Sequence, residues 1–171
     1  LANCLNAMGA RIGGIGSPRL TIEGVSHLHP VQYRVIPDRI EAGTFMVAAA
    51  ITRGELKLVN CRLDDMMAVV DKLRSVGVTV EPDEDGCTVA GTDHIRPTDV
   101  TTQPYPGFPT DLQAQLMALL ALAEGNSVVI EKIFPDRFMH VAELNRMAAD
   151  LRKEGPAVIV AGVRNLVAAP V

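Results

Sequence analysis

The chain has 171 residues, 48% of them hydrophobic and 21% charged, with 16 basic against 20 acidic side chains. It is apolar enough to pack a core, which excludes a disordered chain, and at roughly 150 residues per domain its length makes one domain, or one and a part. A net charge of −4, no Trp, two Tyr and four Phe provide neither the basic field nor the stacking platforms of a nucleic-acid binder, and no attraction to an anionic membrane.

The longest apolar run, Leu116 to Ala123, is eight residues, against about 20 for a membrane span, so no membrane partner is expected. No charged-then-apolar leader opens the chain, so no export signal is expected in this stretch. Cys4, Cys61 and Cys87 are odd in number and lack CxxC spacing. They read as free thiols of a reducing compartment, the cytoplasm. The sequence opens at Leu1 in what reads as mid-helix, as a piece of a longer protein would.

In chain order, Leu1, Leu5 and Met8 share a helical face that Gly9 ends, and Arg19 to Gly24 alternates as a strand. His27 to Arg34 is irregular around Pro30. Asp38 is placed to cap a helix, with Glu41 three residues on completing a capping box; the apolar run Phe45 to Ile51 follows and Gly54 ends it. Glu55 to Val59 alternates as a strand. Leu63, Met66, Met67, Val70 and Leu73 keep a helical period that stops near Gly77. Val78 to Glu81 and Cys87 to Ala90 flank an acidic turn as a hairpin.

The order then recurs. Thr110-Asp111 opens a helix with Gln113 as a second capping box, and Gly125 ends it. Ser127 to Ile133 is predicted as a strand; Val141, Leu144, Met147, Ala148 and Leu151 as one amphipathic helix; Val158 to Ala161 as a strand. Gly54 to Gly125 and Gly91 to Gly162 are each 71 residues apart, and Gly24 to Gly91 is 67. A helix–strand–helix–strand–strand repeat of this length, present twice in full and once in part, means duplicated α/β subdomains rather than a solenoid. The first helix of each full repeat is apolar nearly all round, which predicts buried helices with sheets packed around them.

Few residues are candidates for chemistry. Gly13-Gly14-Ile15-Gly16 follows a helix and precedes a strand, the reverse of a phosphate-binding order, and reads as a turn. His27 and His29 are two potential ligands without a third, so no metal is expected. None of the cysteines has a neighbourhood that would activate its thiol. Pro104-Tyr105-Pro106-Gly107-Phe108-Pro109-Thr110-Asp111 is a stiff loop carrying a carboxylate to a helix N-terminus. Asp111 is there either simply as a cap, stabilised by the helix dipole, or as a base held still beside a substrate. Arg137, between a strand and a helix, either grips a carboxylate or phosphate or makes a surface ion pair with Asp136 or Glu131.

Three stretches carry a resemblance: Tyr33-Arg34-Val35-Ile36-Pro37-Asp38-Arg39-Ile40-Glu41-Ala42-Gly43-Thr44-Phe45, Phe108-Pro109-Thr110-Asp111-Leu112-Gln113-Ala114-Gln115 and Arg137-Phe138-Met139-His140-Val141. In order along nearly the whole chain, they resemble the UDP-N-acetylglucosamine enolpyruvyl transferases (1-carboxyvinyltransferases), which take the first committed step toward bacterial peptidoglycan. The resemblance implies a fold of two lobes, each an inside-out α/β barrel of three units with buried helices, incomplete here. Residues 1–35 would end the first lobe and cross over; residues 36–171 would be two repeat units of the second.

By the same resemblance, Asp111 matches the aspartate that contacts the sugar 3-hydroxyl as its base, and Arg137 an arginine near the reacting centre. Ile133 matches a position whose backbone touches the UDP-sugar, with Thr110 and Phe134 as further substrate-binding positions, while Asp38 and Arg39 serve architecture and closure. The implied partners are UDP-N-acetylglucosamine and phosphoenolpyruvate, with no cofactor, in a cytoplasmic transferase of cell-wall synthesis tied to cell shape and division. The hydroxyl would attack C2 of phosphoenolpyruvate while C3 is protonated, and phosphate would then leave.

The family's acid, a cysteine or aspartate on a mobile loop, has no counterpart here, nor have its N-terminal Lys-Asn pair and several of its arginines. The chain alone is therefore expected not to turn over, and to self-associate through exposed apolar surface. Two alternatives stand beside this reading: an enolpyruvylshikimate phosphate synthase-like enzyme, disfavoured by the absence of basic residues from Pro104 to Gln115, and a non-catalytic UDP-sugar-binding module of the same fold.

Overall fold

The computed structural model describes residues 1–170, and these fall into two compact units, residues 1–36 and residues 37 onward. In the larger unit, Asp38 caps helix α2 (Arg39–Ile51): its Oδ1 accepts from the Ile40 amide at 2.8 Å and the Glu41 amide at 3.4 Å. Strand β3 (Glu55–Val59), a 3₁₀ turn (Leu63–Met66), helix α3 (Met67–Ser75) and the hairpin β4 (Thr79–Asp83)–β5 (Gly86–Ala90) complete a first repeat. Its sheet is antiparallel in the order β3-β5-β4, with Leu56 and Val80 both opposite Val89.

The second repeat has the same plan. A 3₁₀ turn (Thr110–Leu112) leads into α4 (Gln113–Leu120), then β7 (Asn126–Ile130), α5 (Met139–Arg146), β8 (Asp150–Glu154) and β9 (Ala157–Ala161). Its sheet runs β6-β7-β9-β8, where β6 (Val100–Thr101) is an added strand parallel to β7. Two residues are too short to leave a period-2 signal, so β6 has no trace in the sequence pattern.

The core lies between α2, α4 and the two sheets. Met46, Leu73, Leu112, Leu116, Met117, Leu119 and Leu120 are fully buried there, each stabilising the fold by roughly 1.5–3 kcal/mol relative to exposure. The α2–α4 crossing is close: a Cβ on Gly43 would press into the Leu112 side chain and lie 3.3 Å from Met66 Cε. Buried helices were expected, and α4 has no exposed residue, but α2 keeps Glu41, Phe45 and Ala48 in solvent as one stripe. The fold is mixed α/β, with no closed barrel among the described residues.

Several boundaries differ from the sequence pattern, and α4, expected to run on to Gly125, ends at Leu120. The strand predicted over Ser127 to Ile133 ends at Ile130, leaving Glu131 to Ile133 to turn away. The helix predicted through Leu151 stops at Arg146; Ala148 adopts φ +66 and Leu151 belongs to β8. The cause is a local device. Asn145 donates its amide to Leu151 O at 2.9 Å and accepts from Leu151 N at 3.0 Å, bending the chain from helix to strand. The smaller unit repeats it. After α1 (Ala2–Ala7), Asn6 brackets Ile12 at 2.8 Å in both directions and Gly9 turns at φ +99. There β1 (Arg11–Gly13), also missing from the sequence pattern, pairs with β2 (Thr21–Glu23). Leu5-Asn6-Ala7-Met8-Gly9 thus aligns with Leu144-Asn145-Arg146-Met147-Ala148. A further difference is at Thr110 and Gln113, whose side chains make no capping box.

Candidate functional site

The site is built where the second repeat's first strand leaves the core. Glu131, the residue after β7, is fully buried. An unpaired carboxylate in such a place costs several kcal/mol, and five donors offset that. Oε1 accepts from the Thr102 hydroxyl at 2.6 Å and from the Ile133 and Phe134 amides at 2.8 and 3.0 Å. Oε2 accepts from the Thr110 hydroxyl at 2.9 Å and from Gln113 Nε2 at 3.3 Å. Burial by itself raises the Glu131 pKa, but the bonds from Thr102, the two amides and Thr110 outweigh it and hold the group below the ordinary Glu value. Thr110 and Gln113, expected to cap α4, are turned to this carboxylate instead.

Around this buried centre stand the residues predicted for chemistry. Arg137 Nη1 donates to Asp111 Oδ1 at 2.7 Å and to the Thr110 hydroxyl at 3.3 Å, and its guanidinium lies 5.9 Å from the centre of the Phe134 ring. Gln113 Nε2 also donates to Arg137 O at 3.2 Å, fixing the main chain of that loop. Neither alternative pairing for Arg137 is found: Glu131 is occupied by neutral donors, and Asp136 lies 3.4 Å from Lys153. Asp111 and Arg137 are 53% and 44% exposed at their side chains. A pair this open contributes about 0–1 kcal/mol, so an incoming ligand can exchange with it at little cost. Asp111 Oδ2 accepts no hydrogen bond among the described residues and is available to a hydroxyl.

A cleft of about 240 Å³ opens on Asp111, lined also by Arg39, Gln103, Tyr105, Thr110 and Ile133. Arg39, assigned to architecture in the sequence reading, reaches into it from the first turn of α2, with its guanidinium 5.2 Å from the centre of the Tyr105 ring. Arg39 makes no ion pair among the described residues, which leaves a cation facing the carboxylate's cleft. His140 follows Arg137 at the start of α5; burial and then the Arg137 charge lower its pKa. Both causes favour the uncharged ring. Its Nε2 is buried with no partner.

The structure thus gathers Thr110, Asp111, Ile133, Phe134 and Arg137 in one place and adds Glu131, Gln113, Thr102 and Arg39. Glu131 had one weak signal in the sequence, a carboxylate, next to Lys132, between the apolar run ending at Ile130 and the apolar pair Ile133-Phe134. Arg39 had none. Elsewhere, His27 bonds to the Ser26 hydroxyl and His29 packs on Gly9, and no group of three potential metal ligands occurs among the described residues. No helix among them is long and apolar enough to cross a membrane.

Comparison with protein families matches residues 1–171 to EPSP synthase (3-phosphoshikimate 1-carboxyvinyltransferase). The chain is 53% identical over 171 residues to a UDP-N-acetylglucosamine 1-carboxyvinyltransferase of Granulibacter bethesdensis, covering all of this chain and 41% of that protein. It is 54% identical to the protein of the same description from Gluconacetobacter diazotrophicus, with the same coverage. The chain therefore spans about two-fifths of the length of these relatives. Among solved structures, the enolpyruvyl transferase NikO from Streptomyces tendae superimposes with a TM-score of 0.80 at 27% identity, over 92% of this chain and 38% of NikO. An EPSP synthase from Acinetobacter baumannii gives 0.57 at 18% identity over 97% of this chain and 39% of its own, a likeness of fold alone.

Proposed function

The chain belongs to the EPSP synthase family, and from that premise we propose that it is the part of a UDP-N-acetylglucosamine enolpyruvyl transferase that carries the base. The Asp111–Arg137 pair at the mouth of the cleft is the observation that carries the reading. Asp111 Oδ2 takes the proton of the sugar 3-hydroxyl as its oxygen attacks C2 of phosphoenolpyruvate. C3 gains a proton from an acid on another part of the protein. The resulting tetrahedral intermediate loses phosphate and a C3 proton, leaving the enolpyruvyl ether. Arg137, released from Asp111 in exchange for substrate, supplies positive charge to the phosphoryl or carboxylate group. Thr110, Phe134 and the Ile133 main chain line the acceptor's place.

The identity of 53–54% to proteins described as UDP-N-acetylglucosamine 1-carboxyvinyltransferases supports this acceptor over a phosphorylated shikimate. In this reading residues 1–35 end one lobe and 36–171 form two repeats of the other. The protein works in the cytoplasm on peptidoglycan precursors, with consequences for cell shape and division. The 171-residue chain alone does not turn over, and Phe45, Val59 and Met67, between 45% and 64% exposed, offer apolar surface for self-association. The test is acceptor choice by the full-length protein. With phosphoenolpyruvate, phosphate release that requires UDP-N-acetylglucosamine is expected. Release with shikimate 3-phosphate instead, or binding of the nucleotide sugar without release, would turn the assignment to one of the two alternatives.

A further inference from the structure

Every contact of the buried Glu131 carboxylate is a donor: two hydroxyls, two main-chain amides and one side-chain amide. No salt bridge reaches it among the described residues. Such a site accepts an ionised carboxylate and little else. One of its donors, Thr110, has a single proton. With that proton on Glu131 Oε2, the Thr110 oxygen presents lone pairs outward and accepts from Arg137 Nη1, the same nitrogen that holds Asp111. The direction of the chain Arg137 to Thr110 to Glu131 is thus set from its buried end.

We propose that Glu131 is a positioning residue of the acceptor site, whose carboxylate fixes the Thr110 hydroxyl and through it the Arg137–Asp111 pair. The inference rests on the enolpyruvyl-transfer reading and extends it to a residue that touches neither substrate. Replacing Glu131 by Gln exposes the device. The new NH₂ cannot sit at the Oε1 position, where it would oppose the Ile133 and Phe134 amides, which cannot reverse. At the Oε2 position it opposes Thr110 and Gln113. Thr110 then has to accept, and its proton swings toward the Arg137 donors. Gln113 can flip to offer its Oε1, now buried without a partner, but only by giving up its bond to Arg137 O. Both routes of relief end at Arg137, so the damage appears in catalysis rather than in the core.

The test uses the full-length protein with phosphoenolpyruvate and UDP-N-acetylglucosamine. Glu131→Gln is expected to lower kcat roughly 30-fold, within the range of a misplaced base, with KM for the nucleotide sugar changed less than about threefold. Thr110→Val should cause a similar loss and Thr110→Ser should retain activity. In the Thr110→Val background, Glu131→Gln should cost less than about threefold more, because both act on one link. A Glu131→Gln enzyme within about threefold of wild type, or losses that multiply in the double variant, would overturn the proposal. If Glu131→Gln does not fold, the Thr110 pair decides it: equal activity of Val and Ser, or a loss in Val that appears in KM for the nucleotide sugar, overturns it, and a loss of kcat in Val alone with that KM held supports it. A silent wild-type enzyme would remove the transfer reading and this proposal together, whereas an active one with an indifferent Glu131→Gln removes this proposal alone.

Discussion

The two glycines that mark the 71-residue repeat, Gly91 and Gly162, should both resist replacement by alanine. Each lies just past the last strand of its repeat and passes against the end of that repeat's first helix. The Gly162 amide bonds to Gly125 O at 3.0 Å, and the next amide, of Val163, to Ala121 O at 2.8 Å; the Gly91 amide bonds to Gly54 O at 2.9 Å. A Cβ on Gly162 would overlap the Ala123 carbonyl oxygen and lie 2.7 Å from its carbon; on Gly91 it would lie 2.7 Å from Arg53 Cα and 3.0 Å from Ala49 O. The obstacles are main chain, so no rotamer relieves them. Freeing Gly162→Ala means separating strand end from helix end, with two hydrogen bonds lost at about 1 kcal/mol each and overpacking of about 1–3 kcal/mol. The expected cost is about 3–5 kcal/mol for Gly162→Ala and about 2–4 kcal/mol for Gly91→Ala, where one bond is at stake. Gly13→Ala is the control, since nothing lies within 4 Å of its Cβ position, and it should stay within about 0.5 kcal/mol. Thermal melting of the full-length protein, followed by circular dichroism, should show a drop of about 3–6 °C for Gly162→Ala. A Gly162→Ala midpoint within about 2 °C of Gly13→Ala would refute the packing argument.

Other predictions follow from the same geometry. Ala148→Gly should stabilise by about 0.5–1 kcal/mol, read by urea unfolding, because Ala148 holds φ +66 where the equivalent Gly9 and Gly77 hold +99 and +102. His94 Nδ1 lies 2.8 Å from Glu124 Oε1, and that hydrogen bond, then the Glu124 charge, raises the His94 pKa. The pair's contribution is therefore full below the ordinary His value and is lost as pH rises through the raised one. The melting midpoint of wild type should fall relative to His94→Gln between about pH 6 and 8, and salt should blunt the difference. Burial, then the adjacent Cys61, pushes the Cys87 thiol up to about 12, so iodoacetamide at pH 8 should leave Cys87 unmodified in the native protein, as mapped by peptide mass.

What was legible in the sequence was periodic. The repeat, the cap at Asp38 and the shielding of α4 follow from spacing, because tertiary packing reinforces the local pattern there. What was not legible came from side chains acting across long separations. Thr110 and Gln113 look like a capping box to anyone reading three residues at a time, yet a carboxylate 18 residues beyond Gln113 takes both. Leu151 fits the helical period of Val141 and Leu144, and only the Asn145 bracket and the turn at Ala148 remove it from the helix. Of the site, the Asp111 loop was visible through its prolines. Arg137 was visible as a charge in a loop, but not its partner, and Arg39 only as part of a motif. The Arg39 guanidinium joins the Asp111 cleft because α2 packs beside α4, which brings residues 72 apart in sequence to the lining of one cleft.

The most direct test of the account is phosphate release by the full-length protein given phosphoenolpyruvate and UDP-N-acetylglucosamine, with Asp111→Asn alongside. The account predicts release that depends on the nucleotide sugar and falls at least about 100-fold in Asp111→Asn, the loss of a general base, while the variant melts as wild type does. Release that persists in a folded Asp111→Asn enzyme would contradict the assignment of Asp111 as the base.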